Sequence, residues 1–297
     1  MNRIKDQIRC GAAYRLGLTG KGIGVAVLDT GIFLHRDFDS RVTGFADMVN
    51  GKNFAYDDCG HGTHICGIIG GSGRMSGGRY SGIAPGCDLV MVKVLDRKGN
   101  GYSSDVLAGL SWILERKEKL GIRILNISVG ACSKRGMSEN SALVKGVNRA
   151  WDAGLVVVVA AGNNGPRTMS ITTPGISRKV ITVGCSDDDR EVLVGGNRMV
   201  DYSGRGPTAA CICKPDLVAP GCSVVSCSSR ADKYTIKSGT SMSTPIVSGA
   251  VALLLERFPD MTNKDVKLRL RESSVDIGLP RNQQGWGLLD VGKMLER

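Results

Sequence analysis

The chain of 297 residues predicts an α/β fold organised around a mostly parallel sheet. One observation is a series of continuous apolar runs of strand length, the pattern of strands buried on both faces. The other is that segments with apolar residues at helical spacing lie between several of those runs, so that strand and helix alternate.

The first run, GIGVAVLD at residues 22–29, is Val- and Ile-rich and closes on an acidic residue, Asp29. Residues 70–82, GGSGRMSGGRYSG, read as a glycine-rich surface loop; it does not lead from a strand into a helix, which argues against a phosphate cradle. LVMVKVL at 89–95 is the next strand, followed by a helix over SSDVLAGLSWILERKEK at 103–119, whose serines offer caps. RILNISV at 123–129 is a strand, and SALVKGVNRAWDAG at 141–154 is a helix stopped by Gly154. Strands follow at 155–161, LVVVVAA, and 179–184, KVITVG. IVSGAVALLL at 246–255 is apolar all round and belongs in a core. Near the end, Thr262 with Asp265 three residues later forms a capping-box pattern before an amphipathic helix.

Length and a hydrophobic content of 42% suffice for a substantial core, and with no linker-like stretch the expectation is a single domain over residues 1–297. The longest apolar runs are too short for a bilayer and the start has no apolar signal region, so a soluble, cytoplasmic protein without membrane contact is expected. Ten cysteines in such a chain suggest free thiols in a reducing compartment. Cys211, Cys213, Cys222 and Cys227 lack the usual zinc-ligand spacing and read as ordinary small residues. The net charge of +11 is scattered and interleaved with acids, and aromatic residues are only 5%, so a solvated surface is expected and a nucleic-acid partner is not.

Reactive groups in such sheets gather beyond the carboxyl ends of the strands, where Asp29 and Asn163 both fall. A histidine base must be His35, His61 or His64, and HGTH at 61–64 lacks both the spacing and the glutamate of a zinc helix. GTSMSTP at 239–245 opens the most apolar helix. Ser and Thr there are ordinary caps, yet a helix N-terminus also offers unpaired N–H groups and partial positive charge, which suit a nucleophile whose reaction creates an oxyanion.

Taken together, DTG at 29–31, HGTH at 61–64, AAGNNGP at 160–166 and GTSMSTP at 239–245 resemble the signature segments of the subtilisin-like serine proteases. RVTGFADMVNGK, YDDCGHGTH, IAPGCDLVMVKVLD, TPGISRKVITVG, YSGRGPT and KPDLVAPG are most similar to the intracellular alkaline serine proteases of the AprX type. The resemblance implies a three-layer fold, its central sheet flanked by helices, and a serine endopeptidase acting on unfolded or flexible polypeptides through an acyl-enzyme. It implies Ser241 as nucleophile, His61 as general base and then acid, Asp29 as its orienter, and Asn163 as an oxyanion donor. Substrate backbone would pair with two edges, Ser128, Val129 and Gly130 on one side and Gly99, Asn100 and Gly101 on the other. Ala161 and Gly162 would line the pocket for the side chain before the cleaved bond, with its floor near Thr172 and Thr173. The alternatives are a catalytically silent binding or regulatory module on the same fold, and an esterase or transpeptidase using the same triad.

The chain departs from the family pattern in several places. Ser243 stands where alanine is usual, and its hydroxyl is expected to find a local partner. Arg36 replaces a proline after His35, and Asp37 could ligate a structural calcium, but the 70–82 loop lacks the usual asparagine; no cofactor is needed for the chemistry, and calcium is not expected at that site. Few residues precede Asp29, so no separate prodomain is expected. Restraint would then come from an inhibitory partner in trans, from narrow substrate access, or from a start lost from this sequence. Cys59 and Cys66, close to His61 in sequence, are expected to make activity sensitive to thiol reagents, and Met242 beside Ser241 to peroxide.

Overall fold

The computed structural model describes residues 1–130 and 139–296. Seven strands form one sheet: β1 (Gly24–Asp29), β2 (Val42–Asp47), β3 (Asp88–Lys93), β4 (Ile122–Ile127), β5 (Val156–Ala160), β6 (Ile181–Cys185) and, after the short hairpin β7 (Val192–Val194) and β8 (Asn197–Met199), β9 (Leu217–Ala219). Their order is β2-β3-β1-β4-β5-β6-β9 and every pairing within it is parallel. Every residue of β1, β5, β6 and β9 is buried, as continuous apolar runs require.

Helices cover both faces, giving three layers. Short α1 (Asn2–Gln7) and α2 (Gly11–Arg15) lead in; α3 (His61–Gly70) and α6 (Thr240–Arg257) pack against each other and the sheet. Helices α4 (Ser103–Arg116) and α5 (Ala142–Asp152) pair on the sheet as well. The pleat of β3 separates the layers: a Cβ added to Gly62 of α3 would meet Met91, whereas one added to Gly109 of α4 would meet Val92 and Leu28. Helix α6 is buried almost throughout, including the fully buried run from Ile246 to Leu255. Helix α7 (Asn263–Ser273) carries the capping box formed by Thr262 and Asp265.

Two hairpins and one strand lie outside the apolar-run pattern. Strand β2 is at the sheet edge and mostly half-exposed, so its sequence, VTGFAD, is mixed instead of running apolar. The antiparallel pair β10 (Val224–Cys227) and β11 (Tyr234–Lys237) leaves the main sheet and packs on α3. Strand order reverses beside β1: β2 and β3 lie to one side of it, β4, β5, β6 and β9 to the other. A crevice opens beyond the carboxyl ends at such a switch point, and β1 ends there with Asp29.

Candidate active site

Asp29 is fully buried, and its carboxylate lies 2.8 and 2.9 Å from Nδ1 of His61, the first residue of α3. A carboxylate only accepts, so Nδ1 carries the proton and Nε2 is the basic nitrogen. Thr30 N–H also donates to Asp29 Oδ1 at 2.7 Å, which fixes the carboxylate from its own chain. Burial alone would lower the His61 pKa; the charge of Asp29 and its hydrogen bond outweigh it and hold the imidazole above its usual value.

Several residues outside the signature positions brace this pair. Asp57 takes N–H bonds from Gly60 (2.7 Å) and Thr63 (2.9 Å) and the hydroxyl of Thr63 (2.6 Å), capping the start of α3, while Thr30 Oγ1 donates to it at 2.9 Å. Lys93, fully buried at the end of β3, donates to the carbonyls of Thr30 and Leu95 and to Asp58 at 2.6–2.8 Å. A lysine inside an apolar strand run and the paired acids of YDDCGHGTH mark both positions in the sequence without saying what they bind.

Ser241 sits in the first turn of α6, and its hydroxyl donates to the Ser128 carbonyl at 2.8 Å. Ser128 is held in turn through Asn126 of β4, whose Nδ2 donates to Ser128 Oγ at 2.9 Å and whose Oδ1 accepts from Ser248 of α6 at 2.9 Å. Gly239, not Ser or Thr, is the N-cap of α6. Its capping acceptor comes from another segment: Asn163 Oδ1 receives both N–H and Oγ1–H of Thr240 at 3.0 Å. This fixes the amide orientation and leaves Nδ2 as the donating end. Thr240 Oγ1 also accepts from Gly162 N–H at 3.2 Å, so one threonine joins the helix start to the 162–163 turn.

A cavity of about 200 Å³ opens beside Ser241, lined by Ser128, Gly130, Ala160, Gly162, Asn163 and Thr172 among others. Side chains are excluded at two of these positions: a Cβ on Gly130 or Gly162 would come within 2.3 or 2.4 Å of Thr172. Ala161, expected on this wall, is not there. It is fully buried in a small apolar cluster with Val144, Ile171 and Ile176, and Ala160, one residue earlier, takes the wall position. Adjacent residues at a strand end face opposite ways, and sequence pattern did not resolve which faced the cavity. A second groove of about 240 Å³ brings Gly99, Asn100 and Gly101 together with Val129 and Gly130, floored by Leu95, Val106 and Val147. Thr173 lines this groove and Thr172 the first.

Asp37 is fully buried, but its surroundings do not fit calcium. Its carboxylate accepts from Met75 N–H at 2.9 Å and Tyr234 hydroxyl at 2.7 Å, with Cys227 Sγ at 3.7 Å and His35 Nδ1 at 3.9 Å. Calcium needs six or more oxygens, whereas this shell is made of donors and soft or basic atoms. Cys211 and Cys213 are exposed while Cys222 and Cys227 are buried beside different partners, so the four are not brought together. Cys59 and Cys66 are both pushed up by burial, which disfavours their thiolates. Ser243 Oγ, expected to be satisfied locally, is buried without a hydrogen-bond partner among the described residues. No described helix is long and apolar enough to cross a membrane.

Residues 20–287 match the model of the subtilase family, Peptidase_S8. The chain is 43% identical over 290 residues to Serine protease AprX of Bacillus subtilis (strain 168), covering 92% of this chain and 65% of that protein's length. It is 34% identical to Subtilisin BL of Lederbergia lenta, covering 96% of this chain and 95% of that one. Among solved structures, Sphericase superposes with a TM-score of 0.79 at 31% identity over 92% of this chain and 93% of its own. A cold adapted subtilisin-like serine proteinase gives 0.75 at 29% identity over 92% and 90%.

Proposed function

The chain belongs to the subtilase family, and from that premise we propose that it is a serine endopeptidase that cleaves extended segments of unfolded or flexible polypeptides through an acyl-enzyme. The observation that supports the reading is the fully buried carboxylate of Asp29 held 2.8 Å from Nδ1 of His61, in a chain of this family whose Ser241 opens a core helix beside a cavity.

Ser241, His61 and Asp29 are the catalytic residues of this reading, with Asn163 as oxyanion donor. The Ser241 hydroxyl has one proton, and in the resting structure it is given to the Ser128 carbonyl. An extended substrate adding a strand along Ser128–Gly130 would offer its own N–H to that carbonyl and release the hydroxyl toward His61 Nε2. Oγ then attacks the peptide carbon as Nε2 takes its proton, and the imidazolium is stabilised by Asp29. The oxyanion receives Asn163 Nδ2 and a backbone N–H at the start of α6. The C–N bond breaks as Nε2 returns the proton to the leaving amine, and water, deprotonated by the same nitrogen, cleaves the ester. Substrate backbone would occupy the groove between residues 99–101 and 129–130, with the side chain before the cleaved bond entering the 200 Å³ cavity. The lining glycines and Ala160 leave that cavity open to a large apolar group.

The test is fluorophosphonate labelling of the purified chain, read by intact mass, with casein and a small ester as substrates. One adduct on wild type that Ser241→Ala lacks, together with peptide cleavage, is the expected result. A folded protein that takes no adduct overturns the reading in favour of a silent binding module. Ester turnover without peptide cleavage would make it an esterase.

A further inference from the structure

Cys185 ends β6, and Cys222 lies just beyond β9, the parallel neighbour of β6. Their sulfur atoms and a carboxylate oxygen of Asp187 all lie within 4.8 Å of one another. The Tyr202 hydroxyl sits between the thiols, 3.2 Å from Cys185 Sγ and 3.1 Å from Cys222 Sγ. All three side chains are buried, and the proteolytic mechanism uses none of them.

Such a group could hold a metal ion or form a bond of its own, and the commitments of Asp187 decide between these. Its Oδ1 accepts the backbone N–H groups of Gly221 (2.7 Å) and Cys222 (3.0 Å), and its Oδ2 pairs with Arg3 at 2.9 Å. Burial pushes the Tyr202 phenol far up, so it supplies no anionic oxygen either. What remains is two facing thiols. We propose that Cys185 and Cys222 form a reversible disulfide whose closure disarms the serine site.

Hydrogen bonds from Cys185 and Tyr202 hold the Cys222 thiol below its usual value against its burial, whereas burial pushes Cys10 and Cys87 up to about 12. Cys222 is therefore the attacking sulfur. With hydrogen peroxide as oxidant, the Cys222 thiolate attacks one oxygen, the O–O bond breaks, and the departing hydroxide takes the proton the thiol released, leaving a sulfenic acid and water. Cys185 sulfur then attacks Cys222 sulfur, the S–S bond forms, the S–O bond breaks, and the thiol proton leaves with the hydroxyl as a second water. Two thiols lose two electrons and two protons, and the peroxide becomes two waters.

Gly221 carries the change to the active site. Its carbonyl accepts the N–H of Gly239 at 3.1 Å, and Gly239 caps the helix that carries Ser241. It is also tightly enclosed: a Cβ there would fall 2.4 Å from Ser243 Oγ, 2.8 Å from Cys185 Sγ and 2.8 Å from the Gly239 carbonyl. Drawing Cys222 onto Cys185 moves Gly221 against the turn that sets Thr240, Asn163 and Ser241. Thr240 and Asn163 share two hydrogen bonds, so a shift of Gly239 misplaces nucleophile and oxyanion donor together.

The experiment treats the full chain with diamide, whose N=N bond takes up the same two electrons and two protons to become a hydrazine while thioethers such as Met242 are spared. Non-reducing peptide mapping should find a Cys185–Cys222 linked peptide. The fluorophosphonate labelling rate of Ser241 should fall by about tenfold or more and recover with a phosphine reductant. Cys185→Ser and Cys222→Ser should each keep the basal rate and lose the diamide effect. Absence of the linked peptide while exposed Cys211 and Cys213 are oxidised overturns the proposal, and a linked peptide with an unchanged labelling rate overturns its regulatory half. The peptide map is independent of the protease reading, so a wild type that never labels leaves the linkage judged on its own, and the map on wild type stands even if a serine variant does not fold.

Discussion

At the scale of single residues, Asp29 performs two tasks that one substitution separates. Its charge raises the His61 pKa, and its acceptor oxygens select the Nδ1–H tautomer. Asp29→Asn keeps the shape but removes the charge and offers a donor to Nδ1, so kcat should fall by about 10⁴, the scale known for the triad aspartate of serine proteases. In the proposed mechanism His61 acts as a base only when neutral, and the charge of Asp29 holds its pKa above the usual imidazole value of about 6.5. The acid limb of kcat/KM in wild type should therefore lie above that pH and move down in the variant, as a pH–rate profile would show. Ser243 supplies a second residue-scale prediction. Its buried hydroxyl has no hydrogen-bond partner among the described residues, so Ser243→Ala should stabilise the protein by about 1 kcal/mol, read as a rise in thermal midpoint. Asp29, His61, Ser241 and Asn163, the residues of the proposed mechanism, stand out in the sequence because each sits in a short string whose residue types suit one reaction. Asp57, Thr240 and Lys93 were not, because their task is to fill another group's hydrogen-bond valence, which depends on contacts far apart in sequence.

At the scale of elements, β1, β3, β4, β5 and β6 were legible because burial on both faces writes itself as an apolar run. Edge strand β2 and the hairpins β7–β8 and β10–β11 carry no such run: β2, β7, β8 and β11 are largely half-exposed or exposed, and the buried β10 is only four residues, VVSC. The β10–β11 hairpin nonetheless shapes the 70–82 loop. Tyr234 at the start of β11 and the Met75 N–H within the loop both bind Asp37, tying three segments through one carboxylate. These protein donors take up lone pairs with which the Asp37 carboxylate would bind a calcium ion. Chelation should accordingly leave the thermal midpoint and the labelling rate at Ser241 unchanged, whereas Tyr234→Phe should lower the midpoint by an amount worth about 1–3 kcal/mol by stripping a buried carboxylate of a donor. A midpoint that falls on chelation and recovers with calcium would refute this account of the loop.

At the scale of the whole molecule, the two histidines of α3 contribute to pH-dependent stability with opposite signs. His64 is fully buried, with Nε2 3.1 and 3.2 Å from the carbonyls of Val224 and Thr235 on the β10–β11 hairpin. Burial, then the charges of Lys237 and His61, push its pKa down to about 3. In the unfolded chain it titrates near about 6.5. Between those values the unfolded state binds one more proton than the native state, so this histidine's stabilising contribution is present above about pH 6.5 and is lost as pH falls toward 3. His61 has the opposite sign, because its folded pKa is raised; its contribution is complete below about pH 6.5 and is lost only as pH rises through its folded value. The windows do not overlap, so nothing from His61 offsets the loss on the acid side. The formal charge of +11 adds self-repulsion in the same direction as carboxylates protonate. Stability of the Ser241→Ala chain, chosen so that self-cleavage does not intervene, should fall on acidification from pH 6.5 with a slope from His64 of up to about 1.4 kcal/mol per pH unit. His64→Gln keeps an N–H donor for the two carbonyls and takes up no proton. Chemical denaturation of the two chains at several pH values should give a shallower acid slope for the glutamine variant, and equal slopes would mean that His64 is not the group whose protonation unlocks the hairpin from α3.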